Sequence, residues 1–266
     1  MCVQNRIYKI GRALLLATAG LMAAGLIAAQ LSAQSFIVSQ NGKTVGSANL
    51  QLSKSAEGFK ALSDTKIDMQ GLNYKITSNA SLDSGYRLNE VQLSGSVNGT
   101  AASVETMRQA QAGQGQQFLM KITANGNVTN TPLAFHQRTV FVPDFDPGAL
   151  QVLLDVGAQH NNADIWALVP KQTGSVEQLQ IATNADMQGT LNGQPLTVHH
   201  LTVNYQASKL EIFSGPDNGL LQAEWRNEGF ALVRQGFKLT PPAHPGAAPQ
   251  QPAQQQGHAQ SPRVQQ

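Results

Sequence analysis

Hydrophobic and polar positions alternate with a period of two through much of this chain. Ile67 and Met69 alternate with Lys66, Asp68 and Gln70, and Leu72, Tyr74 and Ile76 with Asn73, Lys75 and Thr77. The same pattern recurs at Phe118, Met120 and Ile122, at Leu179 and Ile181, at Leu210 and Ile212, and at Leu221, Ala223 and Trp225. Successive side chains of a strand point to opposite faces, so each run predicts a strand with one face on a core and one in water. Turn signals separate the runs. Asn-Gly stands at Asn41-Gly42, Asn98-Gly99, Asn125-Gly126, Asn192-Gly193 and Asn218-Gly219, and Asp83-Ser84-Gly85 marks a sixth turn. Asn-Gly suits a type I′ hairpin turn, where both central residues need positive φ. A succession of hairpins without long intervening helices predicts an antiparallel sheet, not an α/β fold.

Two runs change phase. Tyr86 and Leu88 share a parity that Val91 and Leu93 do not, and the run from Leu196 and Val198 to Leu201, Val203 and Tyr205 switches at His199-His200. A phase change predicts a bulge or bend, the device by which a sheet curves. One helix interrupts the strands. Asp146 is placed to cap it, Pro147 suits its first turn, and Leu150, Leu153 and Leu154 share a face. Gly157 or Asn161-Asn162 should end it. A second helix is predicted over Ala101–Gln111, carrying Val104, Met107 and Arg108 and leading into a Gly- and Gln-rich connection at Ala112–Gln117.

The ends have a different pattern. Arg6, Lys9 and Arg12 precede an apolar run from Ala13 to Ala29 with no acidic residue, and Ala33-Gln34-Ser35 is a small-x-small site. Together they read as a secretory signal peptide over residues 1–35, with a mature start near Phe36. The apolar run approaches the length of a membrane anchor, so an uncleaved inner-membrane anchor is the alternative. The expected location is periplasmic or secreted, with membrane contact only through an uncleaved signal segment. Residues 241–266 hold six prolines and eight glutamines, with Val264 the only aliphatic side chain larger than alanine. Such a tail cannot bury enough apolar surface to offset its chain entropy and should be disordered. Pro249 and Pro252 have the spacing of a proline-recognition ligand. A β-rich domain is expected over 36–240.

Composition narrows the function. Only 13% of the 266 residues are charged, and the formal net charge is +2. Three positive charges lie in 1–35 and one, Arg263, in the tail, so +2 becomes −2 for the 205 residues between. A nucleic-acid partner, which needs clustered Lys and Arg, is therefore not expected. The single cysteine, Cys2, lies in the export segment, so no disulfide, thiolate nucleophile or cysteine-ligated metal is expected beyond it.

The candidate chemistry is sparse. His136, Asp144 and Asp146 are the nearest approach to an acid–base cluster, and paired carboxylates can divide acid and base roles. Helix capping accounts for Asp146-Pro147 without any catalytic role. His199 and His200 should point to opposite faces of a strand and so cannot chelate one metal together; His136 or His160 could supply a second ligand to either one. No G-x-S-x-G occurs, Gly113-Gln114-Gly115 lacks the lysine of a phosphate loop, and Asp217-Asn218-Gly219 lacks the spaced oxygens of a calcium loop. No catalytic residue, metal site or cofactor is assigned.

The order of elements does resemble something known. A signal peptide precedes several hairpins, and a mid-chain helix is introduced by Phe141-Val142-Pro143-Asp144-Phe145-Asp146-Pro147. Leu210-Glu211-Ile212-Phe213, Asn218-Gly219-Leu220-Leu221 and Phe230-Ala231-Leu232-Val233-Arg234 then close the domain. This resembles uncharacterised exported bacterial proteins that are similar to the periplasmic lipoprotein-carrier half-barrels. The resemblance rests on element order over most of 36–238, and no functional residue transfers by motif. It implies a mainly β fold: a curved antiparallel sheet, half-barrel or open barrel, with one packed helix. Its concave face would hold a lipid or other apolar ligand without catalysis. The expected lining residues are Trp166, Leu168, Trp225, Phe230, Leu150 and Leu154. The alternatives are an envelope structural or assembly protein, binding a protein partner through a sheet edge or the tail, and a hydrolase built on Asp144 and Asp146.

Overall fold

The computed structural model describes residues 32–111, 115–171, 174–205 and 208–241. The predicted signal segment up to Leu31 and the tail from Pro242 lie outside the described residues. The chain opens with eight strands: β1 (Ser32–Gln40), β2 (Lys43–Ser55), β3 (Gly58–Met69), β4 (Leu72–Asp83), β5 (Leu88–Val97), β6 (Thr100–Gln111), β7 (Gly115–Ala124) and β8 (Asn127–Ala134). Next come β9 (Thr139–Phe141), the helix α1 (Pro147–Gln159), β10 (Trp166–Val169), β11 (Ser175–Gln178), β12 (Gln180–Thr183) and β13 (Met187–Leu191). The last are β14 (Gln194–Tyr205), β15 (Ser208–Ser214), β16 (Leu220–Trp225), β17 (Phe230–Arg234) and β18 (Phe237–Leu239).

Fifteen of these strands form one curved antiparallel sheet, ordered β18-β13-β14-β15-β16-β17-β1-β2-β3-β4-β5-β6-β7-β8, with β12 paired to β14. The sheet is not closed into a barrel, as its two ends, β18 and β8, do not pair with each other. Four Asn-Gly turns have both residues at positive φ: Asn41-Gly42, Asn98-Gly99, Asn125-Gly126 and Asn192-Gly193. Each joins adjacent antiparallel strands, as a type I′ turn requires. The fifth, Asn218-Gly219, has only Asn218 at positive φ and sits in a longer loop.

Inside the curve lie α1 and a three-stranded sheet, β11-β10-β9, in which β9 and β10 are parallel. The alternation of β3 makes this possible: Phe59, Ala61, Ser63, Thr65 and Ile67 are buried, while Lys60, Leu62, Asp64 and Lys66 are exposed. Asp146 caps α1 as its sequence predicts, accepting bonds from Gly148 N and Ala149 N at 2.7 and 3.2 Å. The helix ends at Gln159, with His160 as its C-cap.

Two expectations need correction. Ala101–Gln111 lies in strand β6, not in a helix: it pairs along its length with β5 and β7. Leu221 does not share a face with Ala223 and Trp225. A bulge between Phe213↔Gln222 and Ser214↔Leu220 turns Leu221 to the other side of the sheet. The two predicted phase changes have different origins. At Leu88 a register shift gives Ser81↔Glu90 but Leu82↔Leu88, so Asn89 is the extra residue of a bulge. Across His199-His200 the register with β15 is unbroken, and β14 instead moves from one core to another.

Candidate functional site

Three neighbouring strands on the concave face, β5 to β7, carry a row of small residues that runs on from Ile76 of β4. Ile76 of β4 stands beside Gly95 of β5, Gly95 beside Ala102 of β6, and Ala102 beside Ala124 of β7. Larger side chains flank this row. Leu93, Val104 and Ile122 are direct cross-strand neighbours on one side, and Tyr74 and Val97 on the other. A row without bulk between two rows with bulk leaves a hollow. Here it is a half-open cleft of about 300 Å³, roofed by Pro143-Asp144 and Pro170-Lys171. Its walls are mainly apolar.

The roof is tied to the sheet from below. Tyr74 donates its hydroxyl to the Asp144 carbonyl at 2.9 Å, and Thr65 donates to the Phe145 carbonyl at 2.8 Å. Burial, followed by the nearby carboxylates of Asp146 and Asp144, pushes the Tyr74 phenol well above its ordinary range, so it stays a neutral donor. Phe145 holds φ +57, an unusual conformation for a bulky side chain. Three rings surround it: Tyr74 at 5.9 Å, Trp225 at 5.1 Å and Phe230 at 4.7 Å between centroids. At the cleft mouth, Lys171 and Asp144 pair at 3.4 Å. Both are nearly half exposed, and a pair of that kind contributes little to stability.

The residues expected to line a ligand space lie elsewhere. Leu150, Leu154, Leu168, Trp225 and Phe230 are buried in the main core between helix and sheet. Trp166 is half-buried and stacks on His136 at 3.6 Å. None of the six lines this cleft. Asp144 and Asp146 turn to different partners. Asp146 is buried and accepts from Ser63 Oγ at 2.5 Å besides capping the helix, while Asp144 faces Lys171. His199 and His200 do point apart, His199 to Asp186 at 2.9 Å and His200 to Glu211 at 2.5 Å. No group of three or more metal-ligating side chains occurs among the described residues. No helix among them is long and apolar enough to cross a membrane.

The small residues of this cleft escaped the periodicity argument, which looks for large apolar residues, although it did mark Tyr74, Ile76 and Ile122 of the lining. The available signal was the reverse: Gly95, Ala102 and Ala124 at inward positions, each within a few residues of an Asn-Gly turn. The chain matches no protein-family model, no curated protein and no solved structure.

Proposed function

We propose that this chain is a non-enzymatic binding protein that holds a lipid or other apolar ligand on the concave face of its sheet. The single supporting observation is the apolar cleft over Ile76, Ala102 and Ala124, roofed by two proline-containing loops. Its volume of about 300 Å³ is at the small end for ligand sites, which suits one acyl chain segment or an apolar side chain better than a whole lipid. Affinity would come from apolar area removed from water, roughly 25 cal/mol per Å² before the costs of association. An exported role in the cell envelope fits the basic-then-apolar N-terminal segment.

The test is native mass spectrometry and solvent extraction of the purified chain, beside titration with a fluorescent naphthylamine probe. The expected result is a co-purified acyl-containing species and saturable probe binding. Ala102→Phe, which places a ring on the cleft floor, should weaken probe binding by about tenfold or more. Ligand-free protein whose probe affinity is unaffected by Ala102→Phe would overturn the reading.

A further inference from the structure

A second cleft lies on the same concave face at the opposite end of the strands. It has a volume of about 290 Å³, and its walls include Lys54, Phe59, Asp83 and Tyr86. Tyr74 of the first cleft and Leu82 beside the second are eight residues apart on β4, roughly 26 Å at the rise of a strand. Between them, Ser63 and Thr65 anchor the start of α1. The two clefts are therefore separate.

The second cleft differs in charge. Tyr86 and Phe59 pack with ring centroids 6.2 Å apart, giving an apolar wall. Lys54 Nζ stands 5.5 Å from the Tyr86 ring centroid. Asp83 also lines the cleft, but its carboxylate is already committed. It accepts from Gly85 N, Arg87 N and Arg87 Nε at 2.9 to 3.0 Å, and Arg108 lies 3.5 Å away. Among the described residues no carboxylate is within ion-pair distance of Lys54, and Asp155 acts on it only from further off. Contact with Tyr86 outweighs burial and pushes the Lys54 pKa up, so the ammonium is permanent at neutral pH. The turn that presents Tyr86 is fixed in advance: Tyr86 holds φ +58, and its N donates to the Asp83 carbonyl at 2.9 Å.

We propose that this second cleft binds an anionic amphiphile, with the apolar part lying on Phe59 and Tyr86 and the anionic head on Lys54. The inference is independent of what occupies the first cleft. A cation beside two rings, in a cleft whose own carboxylate, Asp83, is occupied by two arginines, offers a positive charge without an ion-pair partner at the end of an apolar wall.

The test uses the full chain titrated with laurate and with dodecanol, which share a chain and differ in head charge. Laurate should bind roughly twofold to fivefold more tightly than dodecanol, the range of one solvent-exposed ion pair. Lys54→Gln should remove that preference while leaving dodecanol binding unchanged, since Lys54 is exposed and its loss leaves the core intact. Lys171→Gln, at the mouth of the first cleft, should leave the preference in place. Equal binding of laurate and dodecanol by the unmodified chain overturns the inference. So does a preference that survives Lys54→Gln or that disappears with Lys171→Gln; this last result would move the head to the first cleft and leave the proposed function standing.

Discussion

Glu211 shows what a single buried side chain does in a protein with so few charges. Its side chain is only 4% exposed, and it receives Lys209 Nζ at 2.8 Å, His200 Nε2 at 2.5 Å and Thr202 Oγ1 at 2.9 Å. Burial pushes its pKa up, but the three hydrogen bonds together outweigh burial and hold the carboxyl at about 2, against an ordinary value of 4.5. A lowered pKa means that folding favours the ionised form. The resulting stabilisation is complete above about pH 4.5 and is lost as pH falls through about 2. Glu211→Gln should therefore lower stability at pH 7 by about 1–3 kcal/mol and flatten its decline between pH 5 and pH 2. Urea denaturation at a series of pH values checks both; an unchanged acid slope would show that other carboxylates carry it. This cluster was only half legible in the sequence. Adjacent histidines in a strand must point apart, and they do. The partner of His200, however, is eleven residues away and set by the β14–β15 register. Asp146 divides in the same way. Its cap is local and readable from Asp146-Pro147, whereas its bond to Ser63 spans 83 residues and leaves no local trace.

Elements were readable where apolar residues alternate and obscure where polar residues face inward. β6 is the clearest case. Its inward positions are Ala102, Val104, Thr106 and Arg108, and Thr106 is fully buried. Met107 points outward and is 43% exposed. A buried threonine and an exposed methionine erase the period-two signal, so Val104, Met107 and Arg108 imitate a helical spacing. Pairing to β5 and β7 supplies the backbone hydrogen bonds and decides the outcome, as tertiary context commonly overrides local preference. Gly95, opposite Ala102, has a requirement of its own. It holds φ +155, and a Cβ there would lie 1.9 Å from the Lys75 carbonyl oxygen. Gly95→Ala should therefore push β5 off β4, costing about 2–4 kcal/mol in urea denaturation. Gly71 provides the comparison, because its φ is +84 but nothing lies within 4 Å of an added Cβ. Gly71→Ala should cost only about 1 kcal/mol, the backbone strain alone. Equal losses at the two positions would show that φ, not contact with β4, makes Gly95 necessary. The same glycine stands in register between Ile76 and Ala102, two residues of the cleft lining, so its pairing with β4 holds the strands beneath the hollow together.

At the scale of the molecule, one sheet serves two cores. The main core fills the curve around α1, and a smaller cluster of Val198, Phe213, Leu221 and Phe237 lies at the far end of the sheet. β15 contributes to both, with Ile212 in the main core and its neighbour Phe213 in the smaller one. β17 and β18 complete the arrangement. β17 pairs with β16 and β1, and after Gln235-Gly236 the chain continues as β18 to pair with β13. Alternation predicted one buried face per strand and so missed the second core, which requires both faces of the same strands to be covered. Phe237 is 5% exposed and comes from the three-residue strand β18, so the smaller core depends on a short element. Phe237→Ala should cost about 3–5 kcal/mol by leaving a cavity. The loss should be unevenly distributed. Amides of β13 and β18 should lose hydrogen-exchange protection first, while β3 to β5, paired on both sides along their length, should keep theirs. If protection instead falls equally in all strands, the two cores unfold as one unit. In the expected case probe binding at the first cleft should match that of the unmodified chain. Its floor belongs to β4–β7, at the other end of the sheet from β13 and β18. Stability and binding would then be separable by position along a single sheet, and substitutions in the smaller core would serve to vary one while the other is held fixed.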